Sequence, residues 1–189
     1  MITEDARCEV EVKRRIGIAK KTFSDMRNLL ANSKLSIKTR KNMMKTYIWS
    51  TLLYGVESWT LSRGLVKRLE AVEMWLWRRM MKVPWTARLT NEEVLIMVGE
   101  SRQLMQMVRC RQFKFFGHTM RRGGVENLAL TGMIEGRRGR GRPREKYLDG
   151  LVKVTNGRVT NAVQLIRATS DRQEWKSMLA DVLEDMAQR

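Results

Sequence analysis

The sequence has few of the residues that break helices or cross-link chains. Only two prolines, Pro84 and Pro143, occur in 189 residues, so helical runs need not lose N–H donors along most of the chain. Cysteine is as scarce: Cys8 and Cys110 lie far apart and are too few for a disulfide framework, and both are read as thiols of a reducing compartment. Together with the single histidine, His118, they offer at most three zinc ligands, at spacings that match no usual site. No metal and no cofactor is expected. Long apolar runs are also missing. The longest stretch without a charge, Thr46 to Val56, falls well short of the ~20 residues of a membrane span, and the opening MITEDARCEVEV lacks the basic and apolar regions of a secretory signal. The reading is a soluble intracellular protein, nuclear or cytoplasmic, with no membrane partner.

An Asp-Asp pair is absent as well. Asp5, Asp25, Asp149, Asp171, Asp181 and Asp185 form neither an Asp-Asp pair nor the strand-flanked couple that a two-metal polymerase or nuclease needs. No GxxxxGK[ST] phosphate loop occurs. His118, after Phe115-Phe116-Gly117, reads as a helix-end histidine rather than a general base. No catalytic residue is therefore assigned.

What the chain does have is positive charge. Lys and Arg number 37 against 20 Asp and Glu, a formal net charge of +17, which points to an anionic polymer or surface as partner. A hydrophobic share of 43%, with six Trp and fourteen Met, shows that the charge sits on something that folds. It is unevenly spread: residues 1–100 carry a net +8, residues 101–146 a net +9, and residues 147–189 are neutral.

Apolar residues recur at spacings of three and four, the helical period. Val12, Ile16, Ala19, Phe23, Met26 and Leu30 form one stripe and predict a helix over about 7–31. Ser36 is a candidate N-cap for a second helix, with Ile37, Met44, Ile48 and Leu52 on one face. Gly55 interrupts it. Ser62 opens a third, which carries Leu65, Leu69, Val72, Leu76 and Met80 inward until Pro84 ends it, with Trp75, Trp77 and Trp85 crowding its end. Thr90-Asn91-Glu92-Glu93 has the form of a capping box, and the helix it starts stops at Gly99. A basic, packed helix follows from Ser101. Shorter helices fit 144–153, 160–168 and 171–187, the last capped by Ser170. The expected fold is all-α: a helical bundle over 1–125, a basic Gly/Arg linker over 126–146, and a small helical unit over 147–189.

Two basic features are candidate nucleic-acid contacts. Lys34, Lys38, Lys41 and Lys45 form a row beside the apolar face of the second helix, either a phosphate track or a solvated face. Arg137, Arg138, Arg140, Arg142 and Arg144 lie in a Gly/Pro-punctuated strip without an apolar residue. Such a strip suits sequence-independent phosphate binding, minor-groove reading of AT-rich DNA in the manner of an AT-hook, or a merely solvated linker. Trp49 and Trp59, set among Leu and Val at helical spacing, read as core rather than as base-stacking platforms.

Several segments occur in an order that resembles the C-terminal region of non-LTR (LINE-type) retrotransposon reverse transcriptases. They are Leu52-Leu53-Tyr54-Gly55-Val56-Glu57-Ser58-Trp59, Thr90-Asn91-Glu92-Glu93-Val94-Leu95, Phe116-Gly117-His118, Arg140-Gly141-Arg142-Pro143-Arg144 and Asp171-Arg172-Gln173-Glu174-Trp175. The resemblance covers nearly the whole chain, and Met1-Ile2-Thr3-Glu4-Asp5 is similar to the segment just after the palm. It implies a thumb and linker that hold template RNA and primer DNA, with the endonuclease, fingers and palm aspartates expected upstream and the terminal zinc knuckle of some members missing. The expectation is thus a non-catalytic fragment that grips RNA or an RNA–DNA duplex, weighed against a helical scaffold remnant with no nucleic-acid role.

Overall fold

The computed structural model describes residues 8–131 and 146–187, and among them every regular element is a helix. In order these are α1 (Glu9–Asp25), α2 (Arg27–Leu30), α3 (Ile37–Met43), a π-helical stretch (Met44–Trp49), α4 (Ser50–Leu52), α5 (Arg63–Met80), α6 (Asn91–Val98), α7 (Leu104–Arg122), α8 (Val125–Thr131), α9 (Tyr147–Val154), α10 (Ala162–Ala168) and α11 (Arg172–Ala187). Short 3₁₀ turns lie at Val56–Ser58 and Trp85–Ala87. The all-α fold class is as the apolar periodicity predicts.

The chain forms two compact units. One comprises the chain up to Gly55 together with Arg63–Met105, and the other Val56–Ser62 together with Gln106 onward. Residue 125, the expected end of the first bundle, lies inside the second unit.

In the first unit α1 packs on α4, α5 and the π-helical stretch, and α5 packs on α6. The α1 stripe behaves as its spacing demands: Val12, Ala19, Phe23 and Leu30 are buried, with Ile16 and Met26 half-buried. It is not one helix, however. Met26 (φ −94°, ψ 8°) leaves helical geometry and separates α1 from α2. Met44, Ile48 and Leu52 are fully buried, and Trp49 meets Trp77 edge-on with ring centroids 5.8 Å apart. Trp49 is a core residue, 1% exposed, and Trp59, in the segment that belongs to the second unit, is likewise buried, 3% exposed. Trp85 departs from the expected crowd of tryptophans. The helix ends at Met80, Lys82 turns the chain with φ 56°, and Trp85 is left 91% exposed on the loop beyond.

The second unit is centred on Phe113, Phe116, Leu148, Leu151, Leu165, Trp175, Leu179 and Val182. Trp175 packs closely against Gly117, where a Cβ would come within 2.7–2.9 Å of the indole carbons, and its Nε1 donates to Phe113 O at 3.2 Å. Only glycine permits this approach. Segment 56–62 is held by buried polar groups. Gln112 Nε2 donates to the carbonyls of Val56 (3.2 Å) and Trp59 (2.8 Å), Arg109 donates to Gln112 Oε1 (2.8 Å), and the Tyr147 hydroxyl donates to Glu57 O (2.8 Å). Burial pushes the Tyr147 hydroxyl well above its ordinary pKa, so it stays a donor.

The caps divide between foreseen and unforeseen. Ser36 Oγ accepts from Thr39 N at 3.1 Å, the Thr90–Glu93 capping box is complete, and Gly99 ends α6 in the left-handed region at φ 66°. The last helix is capped by Asp171 rather than Ser170: Asp171 Oδ1 accepts from the backbone of Gln173 (2.6 Å) and Glu174 (3.1 Å). A carboxylate bonds two N–H groups there and also answers the helix dipole, which a hydroxyl cannot. α7 starts at Leu104, not at Ser101, because a carboxylate of α5 takes up the N–H groups of Gln103 and Leu104.

Candidate nucleic-acid interface

The lysine row divides into two pairs with different surroundings. Lys34 lies in the turn before Ser36, outside the helix, and Lys38 is in the first turn of α3; both are exposed. Lys41 and Lys45 instead face other parts of the first unit. Lys41 Nζ donates to the last carbonyls of α6, Val98 (3.3 Å) and Gly99 (3.2 Å), and is 3.1 Å from Glu100 Oε1. Lys45 Nζ reaches Glu100 Oε1 (3.1 Å) and Gln103 Oε1 (2.9 Å), and lies 5.8 Å from the centre of the Trp49 ring. Neighbouring Arg40, buried on α3, donates to Met80 O at 3.2 Å, at the end of α5. A cation at a helix C-terminus satisfies orphan carbonyls and offsets the negative end of the dipole. α3 therefore uses Arg40 and Lys41 to close α5 and α6.

Glu100 is the acid on which Lys41 and Lys45 converge. Burial pushes its pKa up, but the bonds and charges of the two lysines outweigh that and hold it below the ordinary carboxylate value. Gln103, at i+3, also donates to it, but its lysine partners are more than 50 positions away, so no local pattern marks the cluster.

A second acid was equally silent in the sequence. Glu73, 1% exposed on α5, accepts from the backbone N–H groups of Gln103 (2.9 Å) and Leu104 (3.0 Å). It caps α7 from another helix, which is why α7 begins there. Burial raises its pKa in spite of these bonds.

A cluster of cations with no acid in its lining lies elsewhere, between α1–α2 and α5. Lys20, Lys21, Phe23, Ser24, Arg27, Trp75 and Arg79 line a surface pocket of about 330 Å³. Lys20 Nζ and Arg79 Cζ each lie 5.2 Å from the centre of the Trp75 ring, and Phe23 meets that ring edge-on at 5.6 Å. The pairing of Lys20 with Trp75 and Arg79 depends on how α1 packs against α5, which no local pattern announces.

Arg137, Arg138, Arg140, Arg142 and Arg144 lie outside the described residues. His118 is exposed on α7, and Cys8 and Cys110 are both thiols. Among the described residues no group of three or more His, Cys, Asp or Glu is placed to hold a metal ion, and no helix is long and apolar enough to cross a membrane.

The chain is similar to an uncharacterised transposon-derived protein of Caenorhabditis elegans, at 26% identity over 181 residues. That alignment covers 89% of this chain and 63% of the relative, so the chain spans less than two thirds of that protein's length. No protein-family profile matches the chain, and no solved structure matches it.

Proposed function

We propose that the chain is a non-catalytic, nucleic-acid-binding piece of a LINE-type retrotransposon reverse transcriptase, which grips RNA or an RNA–DNA duplex through phosphate contacts. The observation that carries this reading is the charge: +17 on a chain whose described residues fold into helices, with basic side chains such as Lys34 and Lys38 exposed. Holding that much like charge together weakens a compact fold by self-repulsion, and a polyanion relieves it. Similarity to a transposon-derived protein supports the origin, as does the ordered series of reverse-transcriptase-like segments. The sequence offers no Asp-Asp pair, so binding without polymerisation is the activity expected.

The test is a pair of assays on the full chain. Fluorescence anisotropy with a labelled RNA–DNA hybrid should show binding that Lys34→Glu/Lys38→Glu weakens, and primer extension on poly-rA with magnesium or manganese should not exceed a heat-killed control. Absence of binding at low salt would overturn the nucleic-acid reading in favour of a scaffold, and extension above the control would overturn the non-catalytic one.

A further inference from the structure

The pocket around Trp75 gathers cations with no carboxylate in its lining. Several other cations of the first unit do pair with carboxylates: Lys13 with Glu9 at 2.7 Å, Arg15 with Glu11 at 2.7 Å, Lys41 and Lys45 with Glu100 at 3.1 Å. The pocket lining contains four cations, Lys20, Lys21, Arg27 and Arg79, and no acid. The cations are also brought together by structure rather than scattered. Lys20 and Ser24 follow i, i+4 on α1, Arg27 opens α2 just past the break at Met26, and Trp75 and Arg79 follow i, i+4 on α5, so each i, i+4 pair shares a face. The indole draws Lys20 and Arg79 over itself by its ring quadrupole, which partly offsets their mutual repulsion.

We propose that this pocket is a phosphate seat for a nucleic-acid strand, taking a backbone or terminal phosphate on Lys20, Lys21, Arg27 and Arg79, with the Ser24 hydroxyl as a further donor. This rests on the nucleic-acid reading above and adds a site to it. The volume of about 330 Å³ is at the lower end of ligand pockets, which run from about 300 to 1,000 Å³, and suits a phosphate with its sugar better than a flat docking surface. Two guanidinium groups match a tetrahedral oxyanion with several acceptor oxygens, where the two-oxygen carboxylate of an acidic peptide would leave most donors unmatched. Trp75 has cations over its ring, so it organises charge here and is not a platform for a stacked base.

The test uses the full chain and a labelled single-stranded 20-mer oligoribonucleotide, with and without a 5′-phosphate, and the same sequence as a duplex. Lys21→Ala/Arg27→Ala changes two exposed side chains outside the core, and Arg79→Ala removes a third charge from the opposite helix. The expected result is a loss of about tenfold or more in affinity at low salt, and a salt slope that falls by about 0.7 for each single-strand phosphate contact removed. Circular dichroism should be unchanged. Preference for the 5′-phosphorylated probe, with competition by adenosine monophosphate, assigns the seat to a strand end; equal binding of both assigns it to an internal phosphodiester. Wild-type affinity and slope in both variants, with the wild type still binding, would overturn this pocket and leave the nucleic-acid reading standing. A poly-glutamate peptide that binds as tightly as the oligonucleotide would overturn the phosphate assignment. No binding of any probe by the wild type would overturn both readings.

Discussion

Glu73 shows how much a single buried carboxylate can decide. Its acceptor oxygen closes the start of a helix 30 positions away, while its burial works against the charge that makes it a good acceptor. Glu73→Ala leaves the Gln103 and Leu104 N–H groups without that acceptor and should cost about 1–3 kcal/mol in urea unfolding. Glu73→Gln keeps an acceptor and removes the charge. Because the folded pKa is raised, the folded state binds the extra proton first, so this residue makes stability fall as pH rises from 4.5 through the raised value. The Gln variant should lack that part of the slope and equal or exceed the wild type at neutral pH. Parallel pH profiles for the two proteins would contradict this. At Gly117 the constraint is steric. Gly117→Ala pushes a methyl group into the Trp175 ring, and overpacking of that kind should cost about 1–3 kcal/mol, read as a lowered midpoint of thermal unfolding.

At the scale of elements, the helices were legible where cause and effect are neighbours in sequence. The Ser36 cap, the Thr90–Glu93 box and the Gly99 stop each depend on residues within four positions. The contacts made by distant partners were not legible. α7 starts where Glu73 meets it, and the terminal carbonyls of α5 and of the α6 stop are taken up by Arg40 and Lys41 of α3. The same reason explains the lysine row: periodicity put Lys41 and Lys45 on one face but could not show that Glu100 lies across from it. The segments that resemble reverse transcriptases are in large part folding devices. Trp59 is buried, Gly117 admits Trp175, and Asp171 caps the helix that carries Trp175. Glu100→Gln should loosen α3 from α6 and destabilise the chain by about 1–2 kcal/mol, between the values of surface and buried ion pairs. Since the pKa of Glu100 is depressed, its contribution is present above 4.5 and lost as pH falls through the lower folded value; the variant should lose less stability than the wild type on acidification through that range.

For the whole molecule the central claim is electrostatic: a folded basic chain whose unneutralised cations meet phosphates. Composition and charge distribution suggested this directly, whereas the division into two units depends on long-range packing around Phe113, Phe116 and Trp175 that no local pattern announces. The measurement that tests the claim most directly is the dependence of affinity for an RNA–DNA hybrid on salt, for the full chain and for the variant with Arg137, Arg138, Arg140, Arg142 and Arg144 all replaced by Ala. A plot of log affinity against log salt should fall steeply for the wild type, at about 0.7–0.9 for each phosphate neutralised, and should be flatter by several units for the variant, with unchanged helicity. An affinity that does not vary with salt, or no binding at all, would contradict the account.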